Sequence, residues 1–277
     1  MKKIAVLTMA RNDENFLRKW VEYYSALLGE ENLFIYMDGL DQHAPTNAGQ
    51  KAVHVQLCPH PQSGVVDFEK YRLGFLSDRA AELFAAGYEI VIGVDADEFL
   101  AVDPAVGKSL PQYLDGLKID GSVSALGLDV GHIKTQEAPF DWSRPFLQQR
   151  SRARVFSRYT KPSVLGAPLR WGSGFHRIKG KNFHIDPNLY LFHYGCFDYD
   201  FLMAKARDTD WITSERHMKK RFKTIDLVTK KKCTPNADRT FRIARFVQSI
   251  LRPVYAWNKP GHFSRVVLIP ERFKTLM

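Results

Sequence analysis

The sequence predicts an α/β protein built on a mainly parallel sheet, and three observations carry the prediction. Short apolar runs alternate with stretches whose apolar residues recur at helical spacing, the pattern of strand, crossover helix and parallel strand. The strand-like runs are apolar on successive residues, as strands covered on both faces must be. A chain of 277 residues that is 45% hydrophobic and 13% aromatic also has enough apolar side chain for one large core.

Lys3 to Met9 reads as the first strand, ending in Arg11-Asn12-Asp13, where an Asn or Asp can cap the next helix. In that helix Phe16, Leu17, Trp20, Val21, Tyr24, Leu27 and Leu28 share a face, and Gly29 closes it. Leu33-Phe34-Ile35-Tyr36 makes a second strand stopping at Asp38-Gly39, a turn signal, and Val53 to Leu57 makes a third. Residues 66–86 form a helix with Phe68, Tyr71, Phe75, Leu76, Ala80, Leu83 and Phe84 on one side and Gly87 at its end. The run Glu89 to Val94 is too short for a helix and delivers Asp95-Ala96-Asp97-Glu98-Phe99-Leu100. Beyond Leu100 the pattern loosens to a short helix at 109–117, a strand at 122–130 ending near Asp129, a strand at 188–197 and a helix from Tyr199. Residues 134–175, rich in Pro, Arg, Trp and Gly, resist assignment.

Cys58, Cys196 and Cys233 are odd in number and lack CxxC spacing, which argues against a disulfide framework or a zinc site. The first residues read as a strand rather than a secretory signal, and no stretch approaches the ~18 uncharged apolar residues of a membrane span. A soluble, cytoplasmic protein is expected. The net charge of +10 is unevenly placed: residues 211–277 hold sixteen Lys and Arg against four acids, so residues 1–210 are close to neutral. Two regions are expected, a catalytic domain at 1–210 and a basic, mainly helical appendage at 211–277.

In open α/β sheets the ligand crevice lies beyond the carboxyl ends of the strands. The polar loops at Arg11 to Asp13, Asp38 and Asp95 to Glu98 would therefore line one edge of the sheet. Asp95 and Asp97, one residue apart at a strand end, can turn together towards one hard cation such as Mn²⁺ or Mg²⁺. Such a cation would hold a diphosphate and neutralise it as a leaving group. The bland alternative is that these acids only cap a turn.

The motifs in order resemble those of family-2-like glycosyltransferases. Thr8-Met9-Ala10-Arg11-Asn12-Asp13-Glu14 followed by Trp20-Val21-Glu22-Tyr23-Tyr24 is similar to their opening, and Phe34 to Gly39 to their second strand and acidic loop. Val94-Asp95-Ala96-Asp97-Glu98-Phe99-Leu100 matches their D-x-D-E-F signature, and Leu191-Phe192-His193-Tyr194 with Phe201 and Lys205 resembles their late element. The resemblance covers residues 3–100 well and 170–207 loosely. It implies a GT-A type, Rossmann-like α/β/α sandwich and a nucleotide-diphosphate-sugar donor, with a uridine diphosphate sugar expected. It implies that Asp95 and Asp97 act on the metal and on the donor's ribose and diphosphate, with Asp97 the direct ligand. Arg11, Asp13 and Asp38 would line the nucleoside, and His193 would complete the metal shell unless it is a core histidine. Lys205 and Arg207 would close over the diphosphate or lie on a solvated helix face.

An inverting transferase needs a base for the acceptor hydroxyl. Where a carboxylate is expected, the stretch Arg170-Trp171-Gly172-Ser173-Gly174-Phe175-His176 has none between Val164 and His184. His176 and Asp141 lead the candidates, with Asp129 and Glu137 behind them, and retention of configuration would need no such base. The acceptor is expected to be a saccharide or lipid-linked saccharide of a cell-surface polysaccharide or glycolipid. In the tail, Phe241, Ile243, Ala244, Phe246, Val247, Ile250 and Leu251 alternate with Arg239, Arg242, Arg245 and Arg252 after Lys230-Lys231-Lys232, as in segments that lie on an anionic membrane surface, although a solvated basic face around a helix packed on the catalytic domain reads the same way. A nucleotidyltransferase would want a glycine-rich loop after the first strand, and Thr8 to Glu14 lacks glycine. No helix-turn-helix or RNP-like pattern supports nucleic-acid binding without catalysis.

Overall fold

Every residue of β1 (Ile4–Ala10) is buried, and its side chains divide between two cores. Ile4, Val6 and Ala10 pack in one core with Phe16, Leu17, Trp20, Val21 and Tyr24 of α1 (Glu14–Leu28). Ala5, Leu7 and Met9 pack in the other with Leu73, Leu76, Ala80 and Leu83 of α2 (Val65–Ala85). Period-two alternation along a strand thus builds a three-layer sandwich. This computed structural model describes residues 1–48, 52–61, 64–179, 183–207, 215–251 and 257–277.

β1 lies between β2 (Leu33–Asp38), followed outward by β3 (His54–Cys58), and β4 (Ile90–Gly93), all parallel. This half of the sheet is the parallel α/β unit the sequence predicts. The rest of the sheet is mixed. After β4 a turn carrying Asp95 to Asp97 leads into β5 (Glu98–Val102), which the sequence pattern does not show, and then α3 (Leu110–Asp115) and β6 (Ser122–Gly131). The unassigned stretch breaks into α4 (Phe146–Gln149), β7 (Arg152–Phe156), β8 (Val164–Leu165) and β9 (Trp171–Gly172), pieces too short to show a period. β10 (Arg177–Lys179) follows, and β11 (Ile185–Cys196) runs antiparallel to β5 and parallel to β6.

The chain then forms α5 (Tyr199–Arg207), α6 (Glu215–Lys230), α7 (Ala237–Ile250), β12 (Trp257–Asn258) and β13 (Ser264–Leu268). The main sheet runs β13-β7-β6-β8-β4-β1-β2-β3, with β11 and β5 attached through β6. The tail holds α6 and α7 and packs onto the rest of the fold. β13 pairs with β7, and Phe241, Ala244, Val267 and Phe273 belong to the main core. The expected boundary at residue 210 and the basic residue Arg252 lie outside the described residues.

One glycine decides where the loop after β7 sits. A Cβ on Gly127 of β6 would stand 2.2 Å from the backbone carbon of Tyr159 and 2.4 Å from Thr160 N. Gly127 N instead donates to Thr160 Oγ1 at 3.1 Å, so the turn rests directly on the strand. Backbone cannot yield as a flexible side chain can, so Gly127→Ala is expected to lower stability by about 1–3 kcal/mol in denaturant unfolding. Gly116, whose nearest neighbour would lie 3.8 Å from an added Cβ, is the control: Gly116→Ala should change stability by less than about 0.5 kcal/mol.

Candidate active site

The carboxyl ends of β2, β1 and β4 and the adjoining ends of β6, β7 and β11 border a cleft of about 720 Å³. Asp38 stands at one end, Arg11, Asp13, Asp95 and Asp97 follow, then Asp129 and His193, and Arg154 and Arg158 close the far end. α2 contributes Arg72, α5 Lys205, and α6 Lys220, Arg221, Lys223 and Thr224.

Asp95 is held by two cations. Arg72 Nη1 donates to its Oδ1 at 2.8 Å, and Lys161 Nζ to its Oδ2 at 2.7 Å. Lys161 Nζ also stands 2.5 Å from Glu98 Oε1, with 1% of the lysine side chain and 0% of the glutamate side chain exposed. Burial alone would raise Asp95, but the charges of Lys161 and Arg72 outweigh it and hold the carboxyl well below its usual range. Burial pushes Glu98 up against the pull of Lys161, and burial of Lys161 is outweighed by the two acids, which keep the ammonium above its usual range.

Asp97 turns to other partners. Strand register sets His193 beside Glu98 on β5 and beside Asp129 on β6, and Asp129 beside Arg154 on β7. His193 Nδ1 lies 2.7 Å from Asp129 Oδ1, and its Nε2 3.4 Å from Asp97 Oδ2. The imidazole stacks on Tyr159, with centroids 3.8 Å apart and 18° between planes. Gly195 gives it room, since a Cβ there would stand 2.4 Å from His193 Cε1. Burial alone would lower the His193 pKa, but Asp97 and Asp129 raise it above the usual imidazole range.

Asp95, Asp97 and His193 do not form the ready three-ligand set the sequence suggests. Among the described residues no group of three His, Cys, Asp or Glu side chains is gathered to hold a metal ion. Both oxygens of Asp95 are taken by Arg72 and Lys161, so it serves here as the anchor of the turn. The chemistry of Asp97 and His193 does fit a divalent cation. A histidine whose Nδ1 hydrogen goes to a carboxylate presents Nε2 to a metal in the correct tautomer, and Asp129 occupies that supporting position. Two protein ligands are ordinary where phosphates and water complete the shell.

The remaining expected residues divide. Asp38 pairs with His60 at 2.8 Å, and Arg11 donates to the Asp38 carbonyl at 2.8 Å and to Asp41 Oδ2 through its Nη2 at 2.7 Å. Asp13 binds the Lys205 ammonium, while burial pushes its carboxyl up. Arg207 is exposed and does not line the cleft. His176 lines it, after Phe175, which adopts φ 55° with its ring edge-on to Trp171. Burial, with the positive charge of Lys161, holds the His176 imidazole well below its usual pKa, so it stays neutral and is a weak base. Asp141 is a correction: it lies on an exposed turn outside the cleft, accepting from Ser143 N and Oγ at 2.8 and 2.7 Å.

His60, Arg72, Lys161, Tyr159 and Arg221 escaped the sequence reading. Arg72 had a signal, because it lies on the stripe of Phe68, Leu76 and Ala80, where a charge is out of place. Lys161 and Tyr159 had none, since they sit in the stretch without periodicity.

No known family profile matches the sequence, and no curated protein matches it. Among solved structures, the chain is similar to a mannosyltransferase from Pyrobaculum calidifontis in complex with GDP-Man and Mn²⁺. That similarity has 14% identity and TM-score 0.30, over 46% of this chain and 36% of that one. A mannose-1-phosphate geranyltransferase from Thermus thermophilus aligns at 12% identity and TM-score 0.33, over 87% of this chain and 67% of that one. A nucleotide-diphospho-sugar transferase, so described, from Desulfovibrio desulfuricans aligns at 15% identity and TM-score 0.27, over 47% and 59%. These similarities lend no residue role to this chain.

Removing one partner from a buried ion pair strands the other. Lys161→Met should therefore lower stability by about 3–5 kcal/mol, and adding Glu98→Gln should restore part of the loss. Denaturant unfolding of the single and double variants checks this; strictly additive losses would show that the pair is not coupled.

Proposed function

We propose that the cleft binds a nucleoside diphosphate sugar and transfers the sugar to a hydroxyl of a saccharide acceptor. The observation that carries the reading is the row Asp97, His193, Asp129 in the middle of a cleft at the strand ends, flanked by Asp38 on one side and cations on the other. Asp97 and His193 would hold a divalent cation, Mn²⁺ or Mg²⁺, which would supply neutralising charge for the departing diphosphate. Asp129 accepts the Nδ1 hydrogen and so aims the imidazole. Arg72 and Lys161 fix Asp95 and with it the turn that presents Asp97. Asp38, with His60, and Arg11 border the end of the cleft suited to the nucleoside. Lys205 and Arg221 stand on the helices that face the diphosphate position. His176, neutral and close to the Lys161 and Asp95 charges, suits a hydrogen bond to the acceptor hydroxyl better than full proton abstraction.

Isothermal titration of the full chain with uridine and guanosine diphosphate sugars, with and without Mn²⁺, tests the reading. Metal-dependent binding of at least one donor is expected, weakened about 10–100-fold in Asp129→Asn and lost in Asp97→Ala. Absence of donor binding in wild type, or unchanged binding in Asp97→Ala, sinks it.

A peripheral membrane contact is proposed as well. No helix among the described residues is long and apolar enough to cross a bilayer. On the outer face of α7, Phe246 and Ile250 are 66% and 59% exposed beside exposed Arg239 and Arg242. Phe246→Glu should abolish sedimentation with phosphatidylserine vesicles while the wild type co-sediments at low salt.

A further inference from the structure

At its β7 end the cleft is lined by cations that form no ion pair with a described acid. Arg154 faces the cleft one strand beyond Asp129, its partner in register. Its guanidinium lies 3.6 Å from the centroid of the Phe156 ring, and its Nε and Nη1 donate to Ser264 Oγ at 2.8 Å and Thr224 Oγ1 at 3.3 Å. Two hydroxyls and an aromatic face hold the group in place without cancelling its charge, and its Nη2 has no hydrogen-bond partner among the described residues. Arg158, in the turn after β7, and Lys223 of α6 are exposed, line the same end and make no ion pair with a described acid.

The rest of the cleft differs. Asp95 is paired with Arg72 and Lys161, Asp13 with Lys205, Asp38 with His60, and Arg11 with Asp41. Strands stand ~4.8 Å apart, so Arg154 is about 10 Å along the sheet from His193, on the side away from Asp38. A donor diphosphate would find its counter-charge at the cation held by Asp97 and His193, with Lys205 and Arg221 close by. Three further cations on the opposite flank are then in excess of what the donor needs. A fixed, half-buried guanidinium with a free edge is suited to an oxyanion, which accepts two parallel hydrogen bonds in its plane.

We propose that the acceptor is anionic, a saccharide or polyol bearing a phosphate or carboxylate that is seated by Arg154, Arg158 and Lys223. This rests on the sugar-transfer reading above and adds the class of its second substrate. The anionic group would anchor the acceptor at the β7 end, leaving a hydroxyl directed towards the centre of the cleft.

The test uses the full chain with Mn²⁺ and uridine or guanosine diphosphate, and glucose, glucose 6-phosphate and glucuronate as probes in isothermal titration. One of the two anionic probes should bind about tenfold or more tightly than glucose, and which one does so identifies the group. In Arg154→Gln and in Arg158→Gln/Lys223→Gln, circular dichroism first confirming the fold, that preference should fall to about twofold or less. Raising the salt concentration should weaken the charged probe and leave glucose unaffected. Equal affinity for glucose and both anions, with nucleotide binding intact, overturns the anionic acceptor and leaves the transfer reading standing. Loss of nucleotide affinity in Arg158→Gln/Lys223→Gln assigns these cations to the donor and also overturns it. Failure of the wild type to bind any nucleotide instead removes the transfer reading itself.

Discussion

An ammonium with almost no exposure must find its negative charge inside the protein, and Lys161 finds it on two elements at once. Asp95 lies in the turn after β4 and Glu98 at the start of β5, so one cation clamps the turn from both ends. Arg72 reaches the same Asp95 from α2, and Lys161 is itself placed by the loop that rests on Gly127. Each component is unfavourable alone, since a buried charge without its partner costs several kcal/mol. Together they convert a short, flexible connection into a fixed one. The turn that presents Asp97 to the cleft is therefore rigid because of what Asp95 does, although the two residues look equivalent in sequence.

From this clamp the chemistry is laid out by strand register. Glu98, His193, Asp129 and Arg154 occupy matched positions on β5, β11, β6 and β7. A row of alternating acid and base crosses the sheet with them, and a slip of one residue in any pairing would turn its member to the opposite face. The cleft runs from Asp38 at the β2 end, past this row, to cations that form no ion pair with a described acid at the β7 end.

The basic tail joins this arrangement. Its charge excess suggests a detached segment, yet α6 lays Lys220, Arg221, Lys223 and Thr224 along the cleft while β13 extends the sheet next to β7. Part of the tail's positive charge therefore belongs to the cleft, and part remains on the outer face of α7.

The sequence by itself determined the parallel half of the fold and the edge of it along which the polar cleft lies. Helical spacing defines α1 and α2, unbroken apolar runs ended by turn or polar residues define β1, β2 and β4, and parallel strands must bring their carboxyl-end loops, with Asp13, Asp38, Asp95 and Asp97, to one edge. It did not determine what those residues touch. Asp141, adjacent to aromatic residues in a promising stretch, lies on an outside turn, while Lys161 and Tyr159 from the same unpatterned region enter the centre. Segments of two to five residues, such as β7 and β8, carry too few side chains to declare a period, and their places come from pairing with distant strands. Only the tertiary structure could decide that Asp95 anchors and Asp97 faces His193, because the choice depends on charges brought from residues 72, 129, 161 and 193 into one buried space, where each must be balanced.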